Sequence, residues 1–151
     1  MPQFIPQDPQ FEARVRDSFA RQQVMTTIGA TITSVEPGLV EIQIPFRPDL
    51  TQQHGFLHAG VITTIVDSAC GYAALSLMPA QVGVLTIEYK VNFLAPAAGE
   101  RFVARGRVTK PGRTVTVCTG DVLAAQEGRE TPIATMLTTM MVVRDRPAIL
   151  D

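Results

Sequence analysis

The chain has 151 residues, 46% of them hydrophobic, with 13 basic and 14 acidic side chains and a formal charge of -1, which is one domain's worth of sequence with enough bulk to bury a substantial core. The near-neutral balance contains no lysine or arginine block, so there is no electrostatic footprint for nucleic acid and any phosphate binding has to be local. Cys70 and Cys118 lie in unrelated apolar stretches and read as reduced core residues, and the opening MPQFIPQDPQ has neither the basic nor the apolar region of a signal peptide, which predicts a cytoplasmic protein.

Asp8 followed by Pro9 is a helix-start signal, and Phe11, Val15 and Phe19 then recur every four residues, which predicts a short amphipathic helix on the outside of the domain. Residues 1–24 form this helical arm. Ile28–Ser34 and Leu39–Phe46 flank Pro37-Gly38 and read as a hairpin. The polar segment Arg47–Leu57 then delivers a long apolar helix, Gly60–Met78, whose length approaches that of a bilayer span. Asp67 near its middle, among Thr63, Thr64, Ser68 and Ser76, makes it a poor span and a good core helix. After Pro79 the texture turns to strands at Val84–Leu94, Arg101–Thr109, Thr114–Ala124 and Ile133–Val143. In the first of these Leu85, Ile87, Tyr89, Val91 and Phe93 alternate against Thr86, Glu88, Lys90 and Asn92, predicting one buried face and one wet or interfacial face. The order helix, two strands, long helix, four strands implies an α+β domain over residues 25–143, an antiparallel sheet wrapping one helix. Residues 144–151 read as a loose tail.

Asp67 carries the most chemical information. Burying an unpaired carboxylate costs several kcal/mol, roughly, or forces protonation, and catalysis is one reason to bear that cost; capping, an ion pair or a solvent-facing position are the structural reasons. Its helical neighbours at three, four and seven residues are Gly60, Thr63, Thr64, Cys70, Gly71 and Ala74, a stripe of small residues that leaves room for a ligand or for close packing on the sheet. At the helix start, the first backbone N–H groups at Ala59 and Gly60 lack intrahelical acceptors and would stabilise an oxyanion. His54 and His58 have a zinc-ligand spacing, but Gly55 stands where a zincin would carry glutamate, and no third ligand cluster accompanies them, so no metal is expected. Ser68, Ser76, Cys70 and Cys118 have no elbow motif or neighbouring histidine. Lys110 and Arg113 flank a hairpin turn and are either phosphate ligands or solubilising charges.

The run Leu57-His58-Ala59-Gly60 followed by Asp67, together with Val84-Leu85-Thr86-Ile87-Glu88-Tyr89 and Asn92-Phe93-Leu94-Ala95-Pro96-Ala97, resembles the hotdog-fold acyl-CoA thioesterases of the phenylacetic-acid-degradation (PaaI) type over about Gly29–Val143. The resemblance implies a sheet wrapped around one central helix, protomers joined as a dimer or a dimer of dimers, and active sites at the dimer interface. It assigns Asp67 as base or nucleophile on the thioester and the Ala59 N–H as oxyanion donor, where the family has glycine. Gln52, with Gln53 one register away, would orient the water or carbonyl, and Thr86 would supply a hydroxyl from the neighbouring subunit. His58 would fix the loop, and Gly60 would allow close approach of substrate. Lys110 and Arg113 are carried as candidate CoA-phosphate ligands, and CoA enters only as part of the substrate, with no further cofactor. A hotdog enoyl-CoA hydratase using His54 or His58, or a non-catalytic acyl-CoA sensor, are the competing functions. A panel of saturated acyl-CoA and enoyl-CoA substrates separates them.

Overall fold

The computed structural model describes residues 3–151. Helices α1 (Phe11–Arg21) and α2 (Gln23–Ile28) lead into β1 (Thr31–Glu36) and β2 (Leu39–Pro45), followed by a 3-10 turn at Pro48–Leu50, the long helix α3 (Ala59–Leu75), and strands β3 (Gly83–Phe93), β4 (Arg101–Lys110), β5 (Val115–Gln126) and β6 (Arg129–Val143). All six strands form one antiparallel sheet in the order β1-β2-β4-β5-β6-β3. Helix α3 lies across its concave side.

The sheet wraps the helix because two of its inward positions carry no side chain. Val40, Gly106, Gly120 and Met136 are successive cross-strand neighbours on β2, β4, β5 and β6. A Cβ on Gly106 would collide with the backbone of Ala69 and Cys70, and one on Gly120 would sit 2.5 Å from Val66 Cγ2 and 2.7 Å from Cys70 Sγ. At Gly106 helix and sheet therefore meet backbone to backbone, and at Gly120 helix side chains rest on bare strand backbone. The next row, Ile42, Ala104, Val122 and Ala134, and the buried Ile62, Ile65 and Val66 of α3 fill the space on one side of that contact. Cys70 and Cys118 are both fully buried and free. Burial pushes both thiols up, Cys118 to about 12.

Five features differ from the sequence expectation. The long helix ends at Leu75 instead of Met78: the Ser76 hydroxyl donates to Ala73 O at 2.6 Å and accepts from Gly38 N–H at 2.7 Å. Arg14 of α1 gathers the orphaned carbonyls of Leu75, Met78 and Pro79 at 2.7–2.9 Å, so a guanidinium caps the helix. Asp8 does accept from Gln10 N–H at 2.9 Å, but in a turn that precedes α1. The helical arm extends past residue 24 to Ile28, where Gly29 at φ +74 ends it, and Val15, Met25 and Ile28 belong to the common core. Residues 144–151, expected to trail loosely, fold back so that the Ile149 carbonyl lies against Gly83 and Asp151 binds Val84 N–H at 2.8 Å.

The fifth difference is in β3. Thr86 pairs with Met140 and Glu88 with Thr139, leaving Ile87 as an extra residue in a bulge. Before the bulge Val84 and Thr86 point toward the helix; after it Tyr89, Val91 and Phe93 do, opposite the inward Thr138, Met136 and Ala134. Leu85 and Thr86 thus sit on the faces opposite to those strict alternation assigns. The apolar residues of β3 are also not buried: Leu85, Ile87, Tyr89 and Phe93 are 47–53% exposed, on a strand at the edge of the sheet.

The helix-on-glycine contact makes a sharp prediction. Gly106→Ala has to push α3 off the sheet and should cost about 2–3 kcal/mol or more. Gly71→Ala, on α3 with only Met140 Cε 3.9 Å from the added carbon, should be neutral or stabilising by up to about 1 kcal/mol through helix propensity. Urea unfolding at one fixed protein concentration measures both.

Candidate active site

The segment before α3 is a closed loop. Thr51 and Leu57 form a bridge, Gln52 N–H donates to Phe56 O at 2.8 Å, and Gly55 turns the chain at φ +85. Leu57 N–H and His58 N–H are tied to Ala97 O and Leu50 O at 3.2 and 3.0 Å. The loop therefore delivers the helix start on a braced support. His58 is the N-cap residue, and its Nδ1 accepts from Gly60 N–H at 2.8 Å, so that nitrogen is unprotonated and Nε2 carries the hydrogen. Gly60 suits this cap, because a Cβ there would lie 3.0 Å from Nδ1 and would press on the imidazole. Val61 and Ile62 N–H both donate to His58 O at 2.9 and 3.2 Å. Ala59 N–H alone in this first turn has no acceptor among the described residues. It is the donor the helix start leaves open.

One turn along, Thr63 and Thr64 return their hydroxyls to Ala59 O and Gly60 O, each at 2.8 Å. Asp67 follows, half-buried, with Thr86 Oγ1 donating to its Oδ1 at 2.8 Å. Its Oδ2 has no protein partner among the described residues and is open to the hollows along this helix face. Burial raises the Asp67 pKa above the ordinary aspartate value, and the Thr86 hydrogen bond offsets part of that rise. A carboxylate with one oxygen pinned, the other free and a raised pKa is equipped to take a proton from water.

The stripe of small residues serves both of the uses open to it. Cys70 and Ala74 pack in the core, whereas Gly60, Thr63, Thr64 and Asp67 line a hollow of about 410 Å³ closed on its far side by Tyr89 and Val91 of β3. Thr86, by contrast, joins the Asp67 of its own chain, not that of a neighbour; the bulge at Ile87 is what turns its hydroxyl inward.

Gln52 and Ala59 stand elsewhere. They line a separate cavity of about 530 Å³ whose walls are apolar: Phe56, Leu57, Ile62, Phe93, Leu94 and Ile133 are among them. Gln52 Oε1 accepts from His54 N–H, which leaves its amide nitrogen free to donate. Gln53 and His54 are exposed and line neither space. Ala59 and Asp67 are eight residues apart on one helix, about 12 Å at 1.5 Å per residue. Within one chain the structure does not bring the oxyanion donor to the carboxylate. Lys110 and Arg113 are not brought to either: Arg113 borders a third hollow, with Arg144, beside the last turn of α3, and Lys110 ends β4 exposed. Sequence reading missed Gln22, which lines the Asp67 hollows from the α1–α2 junction; a glutamine before an apolar run carries no signal of its own.

A model of the thioesterase superfamily matches residues 54–131, the stretch from the loop before α3 to the start of β6. A thioesterase family protein from Silicibacter pomeroyi has the same fold with a TM-score of 0.87 and 57% identity, covering 89% of this chain and 98% of that one. The Escherichia coli PaaI protein of the phenylacetic acid degradation operon superposes with a TM-score of 0.79 at 17% identity, covering 89% of this chain and 94% of that one, a likeness of fold. Human acyl-coenzyme A thioesterase 13 is 28% identical over 100 residues, 66% of this chain and 71% of that protein. With more than half of its length matched by the family model and the hotdog architecture present, the chain belongs to the thioesterase superfamily and is a thioester hydrolase.

Proposed function

We propose that the protein hydrolyses acyl-CoA thioesters at sites made by two copies of the chain, with Asp67 of one and the Ala59 N–H of the other acting on the same carbonyl. The observation that carries this reading is the Asp67 carboxylate, fixed by Thr86 at 2.8 Å through Oδ1 and open at Oδ2. Asp67 takes a proton from water as the water attacks the thioester carbon. The oxyanion that forms is held by Ala59 N–H and the positive end of α3, and the CoA thiolate leaves. Gln52, with its free amide N–H, orients the carbonyl or the water, and His58 holds the helix start in place. The reaction is complete with these groups and needs no cofactor beyond the CoA of the substrate.

Two copies are invoked because the base and the donor are about 12 Å apart along one helix, whereas a base, a water, a carbonyl and a donor form a chain of contacts of about 3 Å each. The unpaired β3 edge supports the same arrangement, since an eleven-residue edge strand carrying half-exposed Ile87, Tyr89 and Phe93 is a template for a second strand. Leu85, Met141 and Val115, adjacent across three strands on the outer face and each 39–47% exposed, would serve a further pairing of dimers. The apolar cavity beside Ala59 suits an aliphatic or aryl acyl group. Arg113 and Lys110 remain the candidates for the CoA phosphates: the hollow bordered by Arg113 reaches Ala74, seven residues or about 10 Å along α3 from Asp67, a gap the pantetheine arm can bridge. The hydratase reading is less well served, because His58 Nδ1 is committed to the cap and His54 lines neither cavity. No helix among the described residues is long and apolar enough to cross a membrane, and the two free thiols accord with a cytoplasmic setting.

Asp67→Asn should leave the protein folded and lower kcat for acyl-CoA hydrolysis by at least about a hundredfold; a rate within a few-fold of wild type refutes the assignment. Because the base works only when ionised and its pKa is raised, kcat/KM should fall as pH drops through a value above the ordinary aspartate range, and Thr86→Val should move that acid limb further up.

The shared site is tested by mixing. Ala59→Phe, which crowds the donor, and Asp67→Asn should each be nearly inactive, yet subunit exchange between them should restore about a quarter of the wild-type rate, since half of the dimers then contain one intact site. No recovery after verified exchange places both groups in a single-chain site. Ala59→Gly should keep or modestly raise turnover, because the backbone donor survives the loss of the methyl group.

A further inference from the structure

Helix α3 and strand β3 are tied together twice. The first tie is the bond between Thr86 Oγ1 and Asp67 Oδ1. The second runs through three side chains that are remote from one another in sequence: Val84 N–H donates to Asp151 Oδ2 at 2.8 Å, Ser18 Oγ donates to Asp151 Oδ1 at 2.6 Å, and Ser18 Oγ lies 3.2 Å from the Tyr72 hydroxyl on α3. Val84 is two residues before Thr86, and Tyr72 is five after Asp67. The two ties and the backbones between them close a ring. Gln22 braces the helix side of it, donating to Tyr72 Oη at 2.9 Å and accepting from Ser68 Oγ at 3.0 Å.

The donors can be ordered around the ring without conflict. An ionised Asp151 only accepts, so Ser18 gives it a hydrogen; Ser18 then accepts from Tyr72, and Tyr72 accepts from Gln22. Ser18 and Tyr72 are 4–5% exposed, so water does not compete for these bonds, and each strengthens the next. Asp151 also satisfies a backbone N–H on the outer edge of β3, where no strand of the same chain pairs. The hollow at the centre of the ring is lined by Gln22, Asp67, Tyr72, Thr86 and Asp151.

We infer that Asp151 is a positioning residue for the reaction: by fixing the start of β3 against α1 and α3 through Val84, Ser18 and Tyr72, it sets the Thr86 hydroxyl at hydrogen-bonding distance from Asp67. The inference rests on the reading of Asp67 as the acting carboxylate. Releasing Asp151 lets β3 move, the Thr86 bond lengthens, and Asp67 loses the contact that favours its ionised form. The titratable side chains facing Asp67 are Tyr72 and Asp151 in this hollow, Tyr89 across the adjoining one, and Cys70 farther along α3. Among these, Asp151 is the carboxylate, and the loss of a negative charge from this hollow could act on Asp67 only by making it a stronger acid. A positioning role and a purely electrostatic one therefore shift Asp67 in opposite directions.

The test compares Asp151→Ala, Ser18→Ala, Thr86→Val and the Asp151→Ala/Thr86→Val pair, reading the pH profile of kcat/KM and the Asp67 carboxyl titration by carbon NMR. Positioning predicts that Asp151→Ala and Ser18→Ala each move the acid limb and the NMR titration upward by about half a unit to one unit. It further predicts that kcat at neutral pH falls while KM changes less than twofold, roughly, and that the paired variant titrates no higher than Thr86→Val alone. Ser18→Ala leaves every charge in place and keeps the experiment decisive where Asp151→Ala fails to fold. An Asp67 titration that stays put or moves down in both single variants overturns the inference while Asp67→Asn remains inactive. Full activity of Asp67→Asn overturns the underlying reading instead, and the NMR titration still reports on the ring.

Discussion

The architecture depends on the place where α3 meets a part of the sheet that carries no side chains. At Gly106 on β4 the helix backbone at Ala69 and Cys70 sits directly on the strand, and beside it on β5 the bare Gly120 receives Val66 Cγ2 and Cys70 Sγ. Such a contact has no flexible group to absorb error, so it fixes the height and rotation of the helix together. Every functional position follows from that rotation. With Ile62, Ile65, Val66 and Ala69 turned to the sheet, the face carrying Gly60, Thr63, Thr64 and Asp67 has to lie toward the β3 side, where the sheet ends and space remains.

The second constraint is the unequal treatment of the helix's two ends. At the C-terminus every loose carbonyl is consumed, by Arg14 and by the turn at Ser76. At the N-terminus His58 and its carbonyl satisfy Gly60, Val61 and Ile62, and Ala59 N–H is left over. A helix capped this thoroughly at one end and left with one open donor at the other concentrates its positive end on a single hydrogen-bonding point. Alanine in place of glycine does not alter that donor; it narrows the space in front of it.

Much of this was legible in the sequence because it follows from local rules. Four strands follow Pro79 as alternation and turn residues place them, except that β6 begins at Arg129, four residues before the expected Ile133, and runs through Pro132; the apolar run with one aspartate is the helix that the family pattern requires. What escaped has a common physical cause, namely contacts made by residues far apart in the chain. Nothing near Met78 announces that Ser76 will bond to the hairpin at Gly38, or that Arg14 will cap α3. The bulge at Ile87 is hidden because Thr86-Ile87-Glu88 continues a perfect polar–apolar alternation; only the pairing with Thr139 and Met140 shows that one residue is extra. The same alternation made β3 look half-buried, whereas its hydrophobic residues stand at an open edge. Asp151 has no local pattern around it, and its partners Ser18 and Val84 are 133 and 67 residues away.

The two cysteines have a practical consequence for measuring the enzyme. Release of CoA is followed with reagents that react with thiolates, and a protein's own thiols ordinarily add to the signal. Here Cys70 and Cys118 are sealed between α3 and the sheet, with no exposed surface and with their thiols held in the protonated form. The native protein is therefore silent to such reagents, and all of the colour belongs to the product. A slow signal from enzyme alone would mark the lifting of the helix from Gly106 and Gly120, so the reagent that counts turnover also reports how often the core opens.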